Sequence, residues 1–243
     1  MSHIHISISD VSFGYEKNRD VLKEINLEFS EKESIGLIGA NGVGKSTLLK
    51  LLVGLYTDFT GSIRVEEIPV EKRMLSKVRE KIGYVFQDAD NQLFMSTVYD
   101  DVAFAPRNYG FSEKEVEERV DKALEKVHIT HLKRKHTYQL SGGEKKLASI
   151  ATILSMTPDI ILMDEPSTAL DPQNRRNLIN ILNSFSHLKV IASHDLDFIM
   201  DTCNRVILMN DGRVVRDGSR EEILTDEELL VSNGLELPLR FMK

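Results

Sequence analysis

The chain is 243 residues long, 41% hydrophobic and 28% charged, a globular composition that can bury a sizeable core and excludes collagen-like, coiled-coil and disordered readings. At about 150 residues per domain the length admits one large domain or two small ones. The formal charge of −7, from 31 basic and 38 acidic residues, argues against a sequence-independent nucleic-acid binder, which needs a basic stripe to displace counterions.

The single cysteine, Cys203, allows no intramolecular disulfide and points to a reducing compartment. No apolar run is longer than four residues, whereas a membrane-spanning helix needs about 20. The start, Met1-Ser2-His3-Ile4-His5, shows no signal peptide, so a cytosolic protein is expected.

In chain order, Ile4, Ile6, Ile8 and then Ile25, Leu27, Phe29 alternate with polar residues and predict half-buried strands. The later runs Ile35 to Ile38, Ile82 to Phe86, Ile160 to Met163, Val190 to Ala192 and Val206 to Met209 do not alternate. They predict strands buried on both faces, as in a parallel sheet covered by helices. The stretch from about Asp88 to Gln139 has few strand signals and predicts a helical insertion. Within it Ser112 and Glu115 form a capping-box pattern ahead of Val116, Val120, Ala123, Leu124 and Val127 at helical spacing. Ser219 and Glu222 repeat the start signal near the C-terminus. The expectation is an α/β protein: one domain over 1–243, with an antiparallel β part, a helical subdomain at about 88–140 and a helical tail at about 219–243.

Three motifs carry chemistry. The predicted strand Ser34 to Ile38 runs into Gly39-Ala40-Asn41-Gly42-Val43-Gly44-Lys45-Ser46-Thr47 and a helical Leu48 to Leu52. This is the phosphate loop G-x-x-x-x-G-K-S in its strand–loop–helix context. Its glycines let consecutive N–H groups turn toward phosphate, Lys45 supplies a charge to the β- and γ-phosphates, and Ser46 is a Mg²⁺ ligand. The apolar strand Ile160 to Met163 ends in Asp164-Glu165; Asp164 is expected to hold Mg²⁺ and Glu165 to orient or deprotonate an attacking water. Leu140-Ser141-Gly142-Gly143-Glu144 opens a helix expected from about Glu144 to Leu154 and forms a second anion-reading turn.

Together these motifs resemble the ATP-binding cassette ATPases over nearly the whole chain. The resemblance implies that Tyr15 stacks on adenine, that Gln87 ends a strand and links nucleotide, Mg²⁺ and partner, and that Leu140 to Glu144 is the signature motif. It also implies that Ser167-Thr168-Ala169-Leu170-Asp171 lies at a dimer interface and that His194 contacts the γ-phosphate. One subunit's signature then completes the other's nucleotide site, so Gly39, Asn41, Gly42, Gly44, Lys45, Ser46 and Thr47 of one chain face Ser141, Gly142 and Gly143 of another. Leu147 departs from the arginine of many relatives, and Ser167-Thr168 reverses their usual order.

The stretches Tyr84 to Phe94 and Thr97 to Asn108 resemble the energy-coupling-factor transporter ATPases, which drive uptake of cobalt, nickel or vitamins. Gly143-Glu144-Lys145-Lys146 leans toward the cobalt branch, and the tail Glu227 to Leu239 fits a segment that supports dimerisation. The resemblance implies ATP and Mg²⁺ as ligands, a place at the cytoplasmic face of the membrane, and transmembrane scaffold and solute-binding subunits as partners. It also implies that Asp88, Asp90, Asp100 and Asp101 rim an apolar floor, Leu93 to Met95 and Val102 to Phe104, that receives an arginine-bearing coupling helix. A DNA-maintenance ATPase would carry a long coiled coil between Gln87 and Leu140, a translation-associated one two cassettes, and a non-hydrolysing module would not need Glu165 and His194. His128, His131 and His136 are expected on solvated surface, His3 and His5 exposed, Cys203 buried, and Met95, Met156, Met163, Met200 and Met209 as core filling.

Overall fold

The computed structural model describes residues 4–16 and 19–242. β1 (Ile4–Phe13) and β2 (Leu22–Ser30) precede β3 (Ser34–Ile38), which runs into α1 (Lys45–Leu52). A hairpin of β4 (Thr60–Val65) and β5 (Ile68–Pro69) follows, then α2 (Leu75–Lys81) and β6 (Ile82–Val85). Next come α3 (Val98–Asn108), α4 (Glu113–Lys126) and α5 (Gly142–Leu154), then β7 (Ile160–Asp164), α6 (Pro172–Ser184), β8 (Leu188–Ala192) and α7 (Leu196–Thr202). The chain finishes through β9 (Arg205–Asn210), β10 (Arg213–Ser219), α8 (Arg220–Leu224) and α9 (Glu227–Ser232).

Two sheets result among the described residues. One is antiparallel, in the order β2-β1-β4-β5; the other runs β10-β9-β3-β8-β7-β6, with β9 to β6 parallel and β10 antiparallel at the edge. The runs without alternation are explained by where successive side chains go. Along β7, Ile160 and Leu162 face a core shared with α1 and the antiparallel sheet, while Ile161 and Met163 face a second core built with α3 to α9. In β9, Ile207 and Met209 split from Val206 and Leu208 in the same way. With both faces covered, no polar position is left to mark the period.

The helical insertion extends beyond the expected limit near Gln139, because α5 packs on both α3 and α4. Reciprocal capping boxes start α4 at Ser112–Glu115 and α8 at Ser219–Glu222, as the sequence predicts; a third, Ser141–Glu144, starts α5 two residues earlier than expected. The C-terminal tail is helical only in part. Gly234 at φ 72° ends α9, and the chain then folds back so that Leu239 N and Arg240 Nε donate to Asp197 (both 2.7 Å) and Arg240 Nη2 to Asp201 (2.8 Å).

Cys203 is buried, and burial pushes its thiol up to about 12. Among the described methionines Met163 and Met209 are fully buried; Met95, Met156 and Met200 are partly exposed. His128, His131 and His136 are exposed and form no metal-ligating cluster with other His, Cys, Asp or Glu among the described residues. His5 is buried rather than exposed, because β1 lies inside its sheet between β2 and β4; Glu66 Oε1, itself 3.7 Å from Lys81 Nζ, sits 3.5 Å from its Nδ1, and His3 lies outside the described residues.

Candidate active site

At the C-terminal end of β3 the chain makes the turn that the glycines predict. Gly39 (φ 145°) and Gly44 (φ 108°) lie where L side chains are strained, and a Cβ on Gly39 would collide with the Met209 carbonyl. The loop passes directly into α1, so the first N–H groups of that eight-residue helix face the loop's hollow. A cavity of about 490 Å³ opens there, lined by Tyr15, Val21, Asn41, Gly42, Gly44, Lys45, Ser46, Thr47, Gln87 and Glu165. The structure therefore gathers most of the sequence-predicted site residues around one hollow.

Lys45 is buried, its Nζ donating to Gly39 O (2.6 Å) and Ala40 O (3.0 Å). Burial lowers its pKa against the opposing pull of Glu165 and Asp164. An ammonium held only by carbonyls in a desolvated loop is ready to exchange them for phosphate oxygens. Ser46 Oγ donates to Asp164 Oδ1 (2.8 Å), and Tyr84 O–H donates to Asp164 Oδ2 (3.4 Å). Burial raises the Asp164 pKa and the Ser46 hydrogen bond opposes it. A desolvated carboxylate beside a hydroxyl, with the Gln87 amide on the same cavity, is a hard-oxygen donor set that fits Mg²⁺ better than a thiophilic metal.

Glu165 follows at the strand end, 7% exposed, with φ 47°. For a non-glycine residue that left-handed backbone is costly, and the residue lines the same cavity as the loop. Its carboxylate accepts from Ser193 Oγ (3.1 Å) and His194 N (3.1 Å), and His194 Nδ1 stands 2.9 Å from Glu165 Oε2. The imidazole itself is exposed. With Nδ1–H turned to the carboxylate, Nε2 is left to meet a ligand. Tyr15 is 53% exposed at the cavity mouth, edge-on to Phe13 and Tyr56 at centroid distances of 5.1 and 5.3 Å, with its hydroxyl 2.9 Å from Thr47 Oγ1. The exposed part of the ring is open to a flat ligand at the cavity.

The structure does not bring Ser141, Gly142 and Gly143 to this cavity. They lie beside the segment Ser167 to Asp171: a Cβ on Gly143 would sit 3.4 Å from Ala169 O. Ser141, Gly142, Thr168 and Ala169 are exposed there together. Gln87 does not end a strand either; β6 stops at Val85. The residues beyond are tied to α5 through Gln92, which accepts from Phe86 N (3.1 Å) and donates to Ser149 O (2.7 Å) on α5.

Lys146 was not foreseen as a site residue. It is 3% exposed on α5, and its Nζ donates to Phe86 O (3.0 Å) and Gln87 O (2.6 Å). A lysine on a helix face otherwise made of Leu147, Ile150 and Leu154 is the signal that could have marked it. Lys146→Met keeps the stem but leaves both carbonyls without their donor. It should lower ATP turnover about tenfold while Lys146→Arg retains most of it, as measured by phosphate release at saturating ATP.

The expected acidic rim needs correction. Asp101 is 4% exposed, and its Oδ1 accepts from Phe94 N and Met95 N (both 3.1 Å), so it shapes the loop from inside. Asp100 turns back to Thr97 Oγ1 (2.5 Å), and Asp90 pairs with Lys145 (2.6 Å). Of the expected apolar floor, Leu93, Val102 and Ala103 are core residues, whereas Phe94 and Phe104 are exposed (65% and 39%) and meet edge-to-face at 4.8 Å.

A family model described as ABC transporter matches residues 22–168. A putative ABC transporter ATP-binding protein of Geobacter sulfurreducens is 47% identical over 239 residues, covering 98% of this chain and 96% of its own. The energy-coupling factor transporter ATP-binding protein EcfA of Carboxydothermus hydrogenoformans is 38% identical over 240 residues, covering 98% and 88%. Among solved structures, cbiO1 from Clostridium perfringens, part of the ABC transporter complex cbiONQ, superposes with a TM-score of 0.83 at 35% identity over 95% of this chain and 94% of its own. An ATP-binding cassette solved as a dimer in a post-hydrolysis state with ADP and Pi superposes with a TM-score of 0.81 at 27% identity, over 88% of this chain and 98% of its own. The phosphate loop, the Asp164–Glu165 strand end and these relatives converge on one conclusion: the chain belongs to the ABC transporter family and is an ATPase subunit of it.

Proposed function

We propose that this chain hydrolyses ATP as one of a pair of cassettes and thereby powers an energy-coupling-factor type importer for cobalt or nickel ions. The observation that carries the catalytic reading is the Glu165 carboxylate, buried between Ser193 and His194 on the wall of the phosphate-loop cavity. Glu165 orients the attacking water and takes its proton, and His194 presents Nε2 to the γ-phosphate. Lys45 trades its two carbonyls for phosphate oxygens, while the loop N–H groups of Asn41 to Thr47 cradle the remaining charge. Ser46, Asp164 and Gln87 would hold Mg²⁺, which when bound neutralises phosphate charge. Tyr15 offers its face to adenine.

The exposed pairing of Ser141 to Gly143 with Ser167 to Asp171 is a surface suited to a second cassette, whose nucleotide it would complete. No helix among the described residues is long and apolar enough to cross a membrane, so solute movement belongs to transmembrane scaffold and solute-binding subunits, with this chain peripheral at the cytoplasmic face. The Phe94–Phe104 patch offers those subunits an apolar contact.

The cargo rests on the likeness to EcfA and to cbiO1. In cells lacking this chain, uptake of labelled Co²⁺ or Ni²⁺ should fall to background and return with the wild-type chain but not with the Lys45→Ala variant. Unchanged metal uptake together with lost vitamin uptake would replace the metal by a vitamin.

A further inference from the structure

The stretch that follows His194 is held from an unexpected direction. Arg175, one turn into α6, donates through Nε to Asp195 Oδ2 (3.2 Å) and through Nη2 to both Asp195 oxygens (3.2 and 3.0 Å). Its guanidinium also lies 5.4 Å over the Phe198 ring on α7. The fork geometry fixes direction as well as distance. Asp195 is in turn the N-cap of α7, its Oδ1 accepting from Phe198 N (2.8 Å). Asp195 N donates to Ser193 Oγ (3.1 Å), and Ser193 Oγ donates to Glu165 Oε2 (3.1 Å). A continuous chain of hydrogen bonds therefore runs from Arg175 through Asp195 and Ser193 to Glu165, and His194, between Ser193 and Asp195 in sequence, meets the same carboxylate through its N–H and Nδ1.

The other end of the chain reaches the exposed dimer-type surface. Arg175 N donates to Asp171 O (2.9 Å), and the Asp171 side chain caps α6 by accepting from Gln173 N and Asn174 N (both 2.9 Å). Asp171 closes the segment Ser167 to Asp171, which lies against the signature turn. The pair is partly buried, its side chains 29% and 31% exposed, and its bidentate geometry fixes how the Asp195 carboxylate, and with it the start of α7, is turned. The opposite side of α7 is held separately, by Arg240 on Asp197 and Asp201.

We infer that Arg175 is a positioning residue for His194: its fork on Asp195 transmits the seating of the Ser167–Asp171 segment against a second cassette to the Glu165–His194 pair. The inference rests on the reading of Glu165 and His194 as the reacting pair, and the test separates the two. Arg175→Met retains the stem over Phe198 and loses the fork; kcat should fall about tenfold with KM for ATP within about twofold of wild type. Asp195→Asn keeps a cap acceptor and should lose a similar factor, and the double variant should be no worse than either single one, because both remove the same link. Arg175→Lys, which keeps charge and most of the packing, should lose about threefold and serves if the Met variant fails to fold. Rates are expressed per ATP-binding chain, so that partial unfolding does not register as lost turnover. Wild-type kcat in Arg175→Met beside a crippled His194→Ala would overturn the inference and leave the site reading intact, as would strictly additive losses in the double variant. Wild-type turnover in His194→Ala would overturn both.

Discussion

Glu165→Gln should bind ATP with wild-type affinity and hydrolyse it at least about 100-fold more slowly, the range expected when a positioned general base is removed. The substitution is nearly isosteric. The amide oxygen can still accept from Ser193 Oγ or His194 N, so the backbone turn at φ 47° and the neighbouring carboxylate of Asp164 keep their places. What disappears is the negative charge that orients water and accepts its proton. Losing that charge beside the triphosphate also relieves repulsion, so the ATP-bound dimer should accumulate. Stopped-flow phosphate release and equilibrium ATP binding, run on the same preparation, read the two halves of this expectation.

Lys45→Ala should fail in the opposite way. Its ammonium is the buried cation that lies nearest the loop's hollow, and a charge-assisted bond in such a site is worth about 2 kcal/mol or more. ATP affinity should fall at least about 30-fold, and no ATP-bound dimer should form at nucleotide concentrations that saturate the wild type. Removing the side chain leaves the carbonyls of Gly39 and Ala40 without their donor, but the space it vacates opens onto the cavity that Lys45 lines, so water can replace it and the fold should persist. Fluorescent-nucleotide titration with a parallel thermal melt distinguishes lost binding from lost structure.

Much of the site could be read from residue order because its parts are local. The phosphate loop needs glycine where φ is positive and a helix that starts at once, and Gly39 to Thr47 meets both demands within nine neighbouring residues. The parallel strands announced themselves by the absence of alternation, which follows from cores on both faces of the sheet. What escaped was whatever depends on partners far apart in the chain. Asp101 resembles a surface carboxylate until the N–H groups of Phe94 and Met95 close on it. Lys146 and Lys189 look like solvated lysines; one holds the carbonyls of Phe86 and Gln87, the other caps the Leu182 carbonyl near the end of α6. Arg175 and Asp195 lie twenty residues apart and acquire meaning only when α6 and α7 pack together. Charges buried by such closures carry no local pattern, whereas capping boxes and glycine turns do.

The central claim, that the nucleotide site is completed by a second cassette, has a direct test in mixed dimers. Lys45→Ala disables the phosphate loop of a chain, and Ser141→Arg blocks its signature turn, so each variant alone should be inactive. In a mixed dimer one site combines both defects, while the other joins an intact Lys45 to an intact Ser141. Mixing equal amounts should therefore restore hydrolysis to about one quarter of the wild-type rate per chain, given random pairing in a closed two-fold dimer. Phosphate release that stays at the level of the separate variants would contradict the composite site, and so would a Ser141→Arg chain that hydrolyses ATP unaided.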